Sequence, residues 1–430
     1  MLEPVKTDYK AVAKSAIKVI APLVVLILIV GTLFFIQSQL ERREGARIRA
    51  AVLYDLDYLL TALEQNLPTL DIIYRRHGVD MLALGQEFRA ELEERESDVY
   101  YLGFWRDLRR DFLWRANGIS HLDALTEGMR QWLLSYYMWG RGPTFQRYVE
   151  ILSIPPAFYE DMLIGFPNDH IERNIVFDII ERGSIAYVRV HHFAGNLERE
   201  MVQTHRFLSE VHDYRHLIID LRSNTGGRPR YFHDLIGYWI IREPHTMYIN
   251  NFYMAGSHNI EFVESMGDSR PQSTRFTLED AMGFITDDYI HVLADIMRMD
   301  YHYTYRHMFF PPSMSDTPFS GKIWMLVDEN MFSAAQLVAS FYKETGHVTL
   351  VGNTTGGGLA FCDAAIYSNY IALPNTGIII RYDAILSLDS RGRPIEYGTE
   401  PHYFNRPGMD ALETVLALIE EGWYRESERQ

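Results

Sequence analysis

Cysteine is nearly absent from this chain. Its 430 residues contain one, Cys362, so no internal disulfide can form. That residue follows a glycine run, no neighbouring His or Asn marks it as a nucleophile, and it reads as a buried bystander thiol. Basic charge is also in short supply: 41 Lys and Arg stand against 57 Asp and Glu, a net charge of -16. An acidic chain of this kind has no electrostatic footprint for nucleic acid.

What is present is the composition of a folded protein, 47% hydrophobic and 13% aromatic. The length allows two or three domains beyond any anchor. Val19 to Ile36 (VIAPLVVLILIVGTLFFI) is uncharged and apolar, close to the roughly 20 residues that span a bilayer. A cleaved signal peptide has a shorter apolar core and a small-x-small site, and Gln37 to Leu40 offers none. The run therefore predicts an uncleaved single-pass anchor at 19–36 behind an N-terminal segment 1–18. Lys6, Lys10, Lys14 and Lys18 before it are opposed by Arg42, Arg43, Arg47 and Arg49 after it, so loop charge leaves the orientation open.

Residues 45–140 read as a helical domain. Ile48, Val52, Leu56, Leu59, Leu60 and Leu63 recur at helical spacing before Pro68, and Leu102, Trp105, Leu108 and Phe112 form a second stripe. Both stripes read as core. Residues 141–183 are a proline-bearing connector. From 184 to 425, apolar strands (Ile185–Val190, His216–Asp220, Ile323–Val327, His347–Val351, Gly377–Tyr382) alternate with helical stretches such as Arg228–Ile241 and Asp410–Ile419, an α/β pattern. Residues 242–319 interrupt it as a Tyr-, His- and Met-rich insertion, either the lining of a substrate groove or an aromatic packing layer. His191 and His192 lack a Cys, Asp or Glu at ligand spacing and carry no metal role. No cofactor is expected.

The stretch Gly321 to Gly358 organises the core. Ser333 stands where a buried strand hands over to a helix. It is either a helix N-cap or a nucleophile exposed at the sheet edge, with helix amides beside it. His216–Gly227 (HLIIDLRSNTGG) supplies a second signal, a strand followed by Asp220, Arg222, Asn224 and a glycine pair.

Asp-Leu-Arg-x-Asn-x-Gly-Gly, then Phe-Ser-Ala-Ala and Gly-Asn-Thr-Thr-Gly about a hundred residues later, resembles the tail-specific (carboxyl-terminal processing) serine peptidases and their tricorn-type relatives. The resemblance covers Ser184 to Tyr403 and implies a crotonase-like, Clp-protease-like core of strand-strand-helix repeats. It implies Ser333 as nucleophile, with the oxyanion held by backbone amides of Ala334 and of Gly226 or Gly227, where glycine permits close approach. Processing peptidases usually supply a lysine base from Gly-Lys-Gly; here Gly357 stands in its place. Lys343 lies ten residues along a helix from Ser333, about 15 Å away, too far to serve. Tricorn-type members instead carry an adjacent Ser-His pair upstream, and Ser120 and His121 match it, which makes His121 the expected base. A glutamate before Gly-x-x-Pro matches Glu396, which by resemblance would hold Ser120, which in turn orients His121; Glu400 is the alternative. His402 stands where the family has Asp. The 141–183 connector holds about forty residues, too few for the PDZ domain that many members carry.

The expectation is therefore a membrane-anchored serine endopeptidase acting on peptides or proteins by acyl-enzyme chemistry. Its catalytic domain lies outside the cytoplasm because the resemblance implies an extracytoplasmic protease. The competing expectation is an inactive peptidase-like protein that binds peptides or hydrophobic ligands. Nothing in the sequence excludes an oligomer.

Overall fold

The computed structural model describes residues 9–95, 99–138, 140, 142–157, 174–241, 243–266, 272–309, 318–358 and 368–422. Cys362 lies outside them. The N-terminal helix is longer than its apolar run: Tyr9–Asn66 is one α-helix of 58 residues. No proline lies between Gln37 and Asn66 to interrupt it, so the apolar run and the first helix of the 45–140 segment are continuous. The environment changes along its length. Phe34 is 72% exposed, whereas Val52, Leu56 and Leu63 are fully buried. The exposed stretch makes this helix long and apolar enough to cross a membrane.

The central sheet has six strands in the order Tyr403–Phe404, Val348–Gly352, Lys322–Val327, His216–Asp220, Ile185–Val190 and Ile175–Glu181. The first five run parallel, and Ile175–Glu181 closes one edge antiparallel. His216–Asp220 is buried at every position, as a strand covered on both faces must be. On one face sits the helix Ala334–Glu344. Its Leu337, Val338, Phe341 and Tyr342 join one core with Leu217, Ile219, Met325 and Leu350. On the other, Val415 and Leu418 of the helix Ala411–Glu421 pack on Ile218, Trp324 and Leu326. Burial of each such side chain contributes about 1.5–3 kcal/mol. The fold is thus mixed α/β, with the loops after Asp220, Val327 and Gly352 leaving the same end of the parallel strands, where open α/β sheets place their sites.

The insertion supplies His245–Tyr253 and Tyr301–Phe309, which pair along nine residues and add Leu386–Leu388 as a third antiparallel strand. Phe252 sits among the rings of Phe276, Phe284 and His302. This part of the insertion is an aromatic packing layer. It shares one buried cluster with Leu59, Leu63, Phe112, Ile371 and Ile380, so the helical segment, the insertion and the 369–388 strands are built on common packing. The expected Arg228–Ile241 helix forms in pieces, Pro229–Phe232 and Tyr238–Ile240 around a wide turn.

Asp55 ties the long helix to that packing. Fully buried, it accepts hydrogen bonds from the amide and Nδ2 of Asn375, each at 2.9 Å, and from the amide and Oγ1 of Thr376 at 2.8 and 2.6 Å. Asn375 and Thr376 form the turn of the hairpin Asn369–Ala372/Ile379–Tyr382, the far end of which reaches the site.

Candidate active site

Ser333 occupies the joint between the Lys322–Val327 strand and the Ala334–Glu344 helix. It holds the N-cap position, yet its side chain makes no capping bond. Its backbone is left-handed, with φ 57° and ψ -123°, a conformation costing on the order of 1–3 kcal/mol for a non-glycine residue. The surroundings enforce it. The Phe332 amide donates to Asn224 O at 3.1 Å and the Ser333 amide to Gly357 O at 3.0 Å. Asp328 anchors the same bend by accepting from the Ser223 and Met331 amides. The result turns Ser333 Oγ away from the helix end and toward His121, 3.0 Å from Nε2.

His121 comes from a short turn far upstream. Asn117, Gly118, Ser120 and His121 all have positive φ, and glycine at 118 answers the turn signal in the sequence. A short strand pairing pins the turn. Asp123–Ala124 pairs antiparallel with Ile379–Tyr382, Asp123 opposite Arg381. Beyond that pairing the chain turns left-handed at Ser120 and His121, and the Asp383 amide donates to Ser120 O at 2.8 Å, one residue off the strand register.

Asp383 is the residue that sequence reasoning missed. Its Oδ2 lies 2.6 Å from His121 Nδ1, and it is fully buried. The available signal was an acidic residue directly behind the apolar strand ending at Tyr382. Burial pushes the His121 imidazole below its ordinary range; Asp383 acts in the opposite direction, and nearby Arg381 adds to the lowering. The ring is therefore neutral at neutral pH, with a proton on Nδ1 for Asp383 and a lone pair on Nε2 for Ser333.

Ser120 and Glu396 sit beside this line but not in it. The Ser120 hydroxyl pairs with Thr69 Oγ1 at 2.7 Å, because the left-handed backbone aims it at the start of the Leu70–His77 helix. Glu396 Oε2 accepts the Gly358 amide at 2.9 Å, and the Ser120 backbone acts on the same carboxyl. The imidazole is thus oriented by Asp383, where the resemblance implied Ser120. Burial, with neighbouring Asp383, raises the Glu396 carboxyl to about 8. Glu400, the alternative, is engaged elsewhere, with Arg393 at 2.8 Å.

The two glycine loops close the site. The Gly226 amide is taken by Asn224 Oδ1 at 2.8 Å. A Cβ on Gly226 would stand 2.8 Å from Ala334 N and 2.9 Å from Phe332 O, so only glycine lets this loop touch the Ser333 turn. Phe193 bridges Gly226 O and the Arg228 amide, which leaves the Gly227 amide facing away from it. Among the described residues no hydrogen bond engages the amides of Gly227 or Ala334. Gly357, in the place of a lysine base, is pressed on the Glu396 backbone: a Cβ would meet Glu396 O at 2.4 Å. Lys343 donates to Glu400 O at 2.7 Å on the far side of its helix. Among the described residues, no group of three or more His, Cys, Asp or Glu is placed to hold a metal.

Residues 184–404 match peptidase family S41. No curated protein matches the chain. Among solved structures, a mutant of CPAF is similar at 13% identity and a TM-score of 0.51, covering 83% of this chain and 93% of that one. A putative peptidase from Parabacteroides merdae is similar at 16% identity and a TM-score of 0.49, covering 87% and 96%. The photosystem II D1 C-terminal processing protease covers 55% of this chain and 49% of its own, at 14% identity and a TM-score of 0.34.

Proposed function

The chain belongs to peptidase family S41, and from that premise we propose that it is a membrane-anchored serine endopeptidase of peptides or proteins, with Ser333 as nucleophile and His121 as base. One observation carries the reading: an imidazole that meets a strained serine hydroxyl at 3.0 Å on one nitrogen and a buried carboxylate at 2.6 Å on the other. These are the roles a serine nucleophile requires, since its hydroxyl is weak until a base takes the proton.

In this mechanism His121 Nε2 accepts the Ser333 Oγ proton as Oγ bonds to the scissile carbonyl carbon. Asp383 stabilises the imidazolium that results. The carbonyl oxygen, now an oxyanion, is held by the amides of Gly227 and Ala334; Gly226 supplies the close approach while its own amide serves Asn224. Each oxyanion donor is worth about 3 kcal/mol in such sites. The imidazolium protonates the departing amine, and a water activated by the same nitrogen releases the acyl group from Ser333. The N-terminal helix serves as a single-pass anchor, with the catalytic part outside the cytoplasm.

The test is cleavage of an unstructured protein such as casein by the detergent-solubilised full chain. New amino termini are expected with the wild type and absent with Ser333→Ala and His121→Ala. A wild type that captures peptides without cutting them would replace this reading with that of a peptidase-like binder.

A further inference from the structure

Asp383 is fully buried, and a carboxylate with one free oxygen could rotate away from the imidazole. Its second oxygen is not free. Ser368 Oγ, itself buried, donates to Asp383 Oδ1 at 2.8 Å. The two residues face each other through the register of the hairpin. Tyr382 pairs with Asn369 across the hairpin, so the next step outward sets Asp383 against Ser368.

Arg381 completes the arrangement. It lies two residues before Asp383, on the same face of the strand, and its Nε donates to Ser368 Oγ at 2.8 Å. A hydroxyl has a single proton. With Oγ accepting from Arg381, that proton is directed to Asp383 Oδ1. The line then runs guanidinium, hydroxyl, carboxylate, imidazole, serine, each link with one sense.

We propose that Ser368 and Arg381 are positioning residues for the reaction, fixing the Asp383 carboxylate through Oδ1 so that Oδ2 is held on His121 Nδ1. Neither touches the reacting atoms. The proposal rests on the reading of Ser333 and His121 given above. Arg381 has a second effect as a cation beside the imidazole. The charged and titratable groups around that ring are Asp383 and Arg381, with Glu396 facing Asp383 and Arg76 facing Glu396.

The test is the rate of covalent labelling by a fluorophosphonate as a function of pH, on the full-length detergent-solubilised protein. Ser368→Ala is expected to slow labelling by up to about a hundredfold, the scale of a small misplacement of a catalytic group. Ser368→Thr, which keeps the hydroxyl, should recover most of the rate. Arg381→Gln is expected to move the acid limb of the profile to higher pH, since the imidazole then gains its proton more readily; Arg381→Lys should leave the limb in place. Wild-type labelling by Ser368→Ala, or an unmoved limb in Arg381→Gln, overturns the proposal. A second measurement does not depend on reaction at Ser333: the low-field proton resonance of His121 Nδ1–H, identified by its loss in Asp383→Ala. It should shift upfield in Ser368→Ala. An unlabelled wild type whose resonance shifts in this way would refute the peptidase reading and keep the hydrogen-bond line. A resonance unmoved by Ser368→Ala would refute the line itself.

Discussion

The amide of Asp383 donates to the carbonyl of Ser120 at 2.8 Å, so the two chain segments meet main chain to main chain before any catalytic side chain is considered. That bond lies just beyond the pairing of Asp123–Ala124 with Ile379–Tyr382 and one residue off its register. Contact between His121 and Asp383 therefore depends on this pairing together with the left-handed turn at Ser120 and His121 that adjoins it.

Replacing Asp383 by Asn keeps the shape and removes the charge. The amide would present a donor to Nδ1 and favour the wrong tautomer, and serine triads lose roughly four orders of magnitude on such a change. Cleavage by Asp383→Asn is expected to fall about 10³- to 10⁴-fold while circular dichroism and melting stay close to wild type. Glu396→Gln, at the acid the resemblance singled out, should fall far less.

Glu396 also sets a pH dependence of stability. Its carboxyl keeps a proton in the fold up to about pH 8, against 4.5 for the free group. Between those values the unfolded chain has released a proton that the folded chain retains, so stability falls as pH rises. Melting temperatures measured from pH 5 to 8 should decline in the wild type and decline less in Glu396→Gln. Equal slopes would show that Glu396 does not hold its proton.

Gly357 tests the absent lysine. A side chain there meets the Glu396 carbonyl at 2.4 Å from its first carbon, at a φ of 85°, and both clashes are backbone-imposed. Gly357→Lys in a His121→Ala background is expected to restore no cleavage and to lower the melting temperature. Restored cleavage would mean that the loop can move to seat a lysine base.

Asp55 lies far from Ser333 along the chain and holds the hairpin that ends at Asp383. Its removal leaves four donors of Asn375 and Thr376 without their acceptor, at about 1–3 kcal/mol for each group that stays buried and unpaired. Asp55→Ala should cost on the order of 3 kcal/mol in denaturant unfolding, and Asp55→Asn, which keeps one acceptor oxygen, should cost less.

Ser333 and the glycine pair stood out because each belongs to a local pattern, whereas His121 was singled out by the resemblance of Ser120-His121 to the tricorn-type pair. A strand-to-helix handover and Gly-Gly after a strand can both be read within a dozen residues. Asp383 offered only an acidic residue directly behind an apolar strand, which does not mark it as the partner of His121. Its role depends on a pairing between segments 262 residues apart, and register across that distance leaves no local trace. The same limit explains Ser120. Its neighbourhood to His121 was visible, but its left-handed backbone and the Thr69 hydroxyl that receives it were not. The apolar run was legible; its unbroken helical continuation into the core was not, because the side chains change from exposed to buried while the helical spacing continues unchanged.

The central claim is that Ser333 forms a bond to the acyl group. It is tested most directly by reacting the full-length protein with a fluorophosphonate, digesting it, and locating the adduct by peptide mass spectrometry. The account predicts one adduct, on the peptide containing Ser333, abolished by His121→Ala as well as by Ser333→Ala. An adduct on another residue, or none under conditions that label a known serine hydrolase, would contradict it.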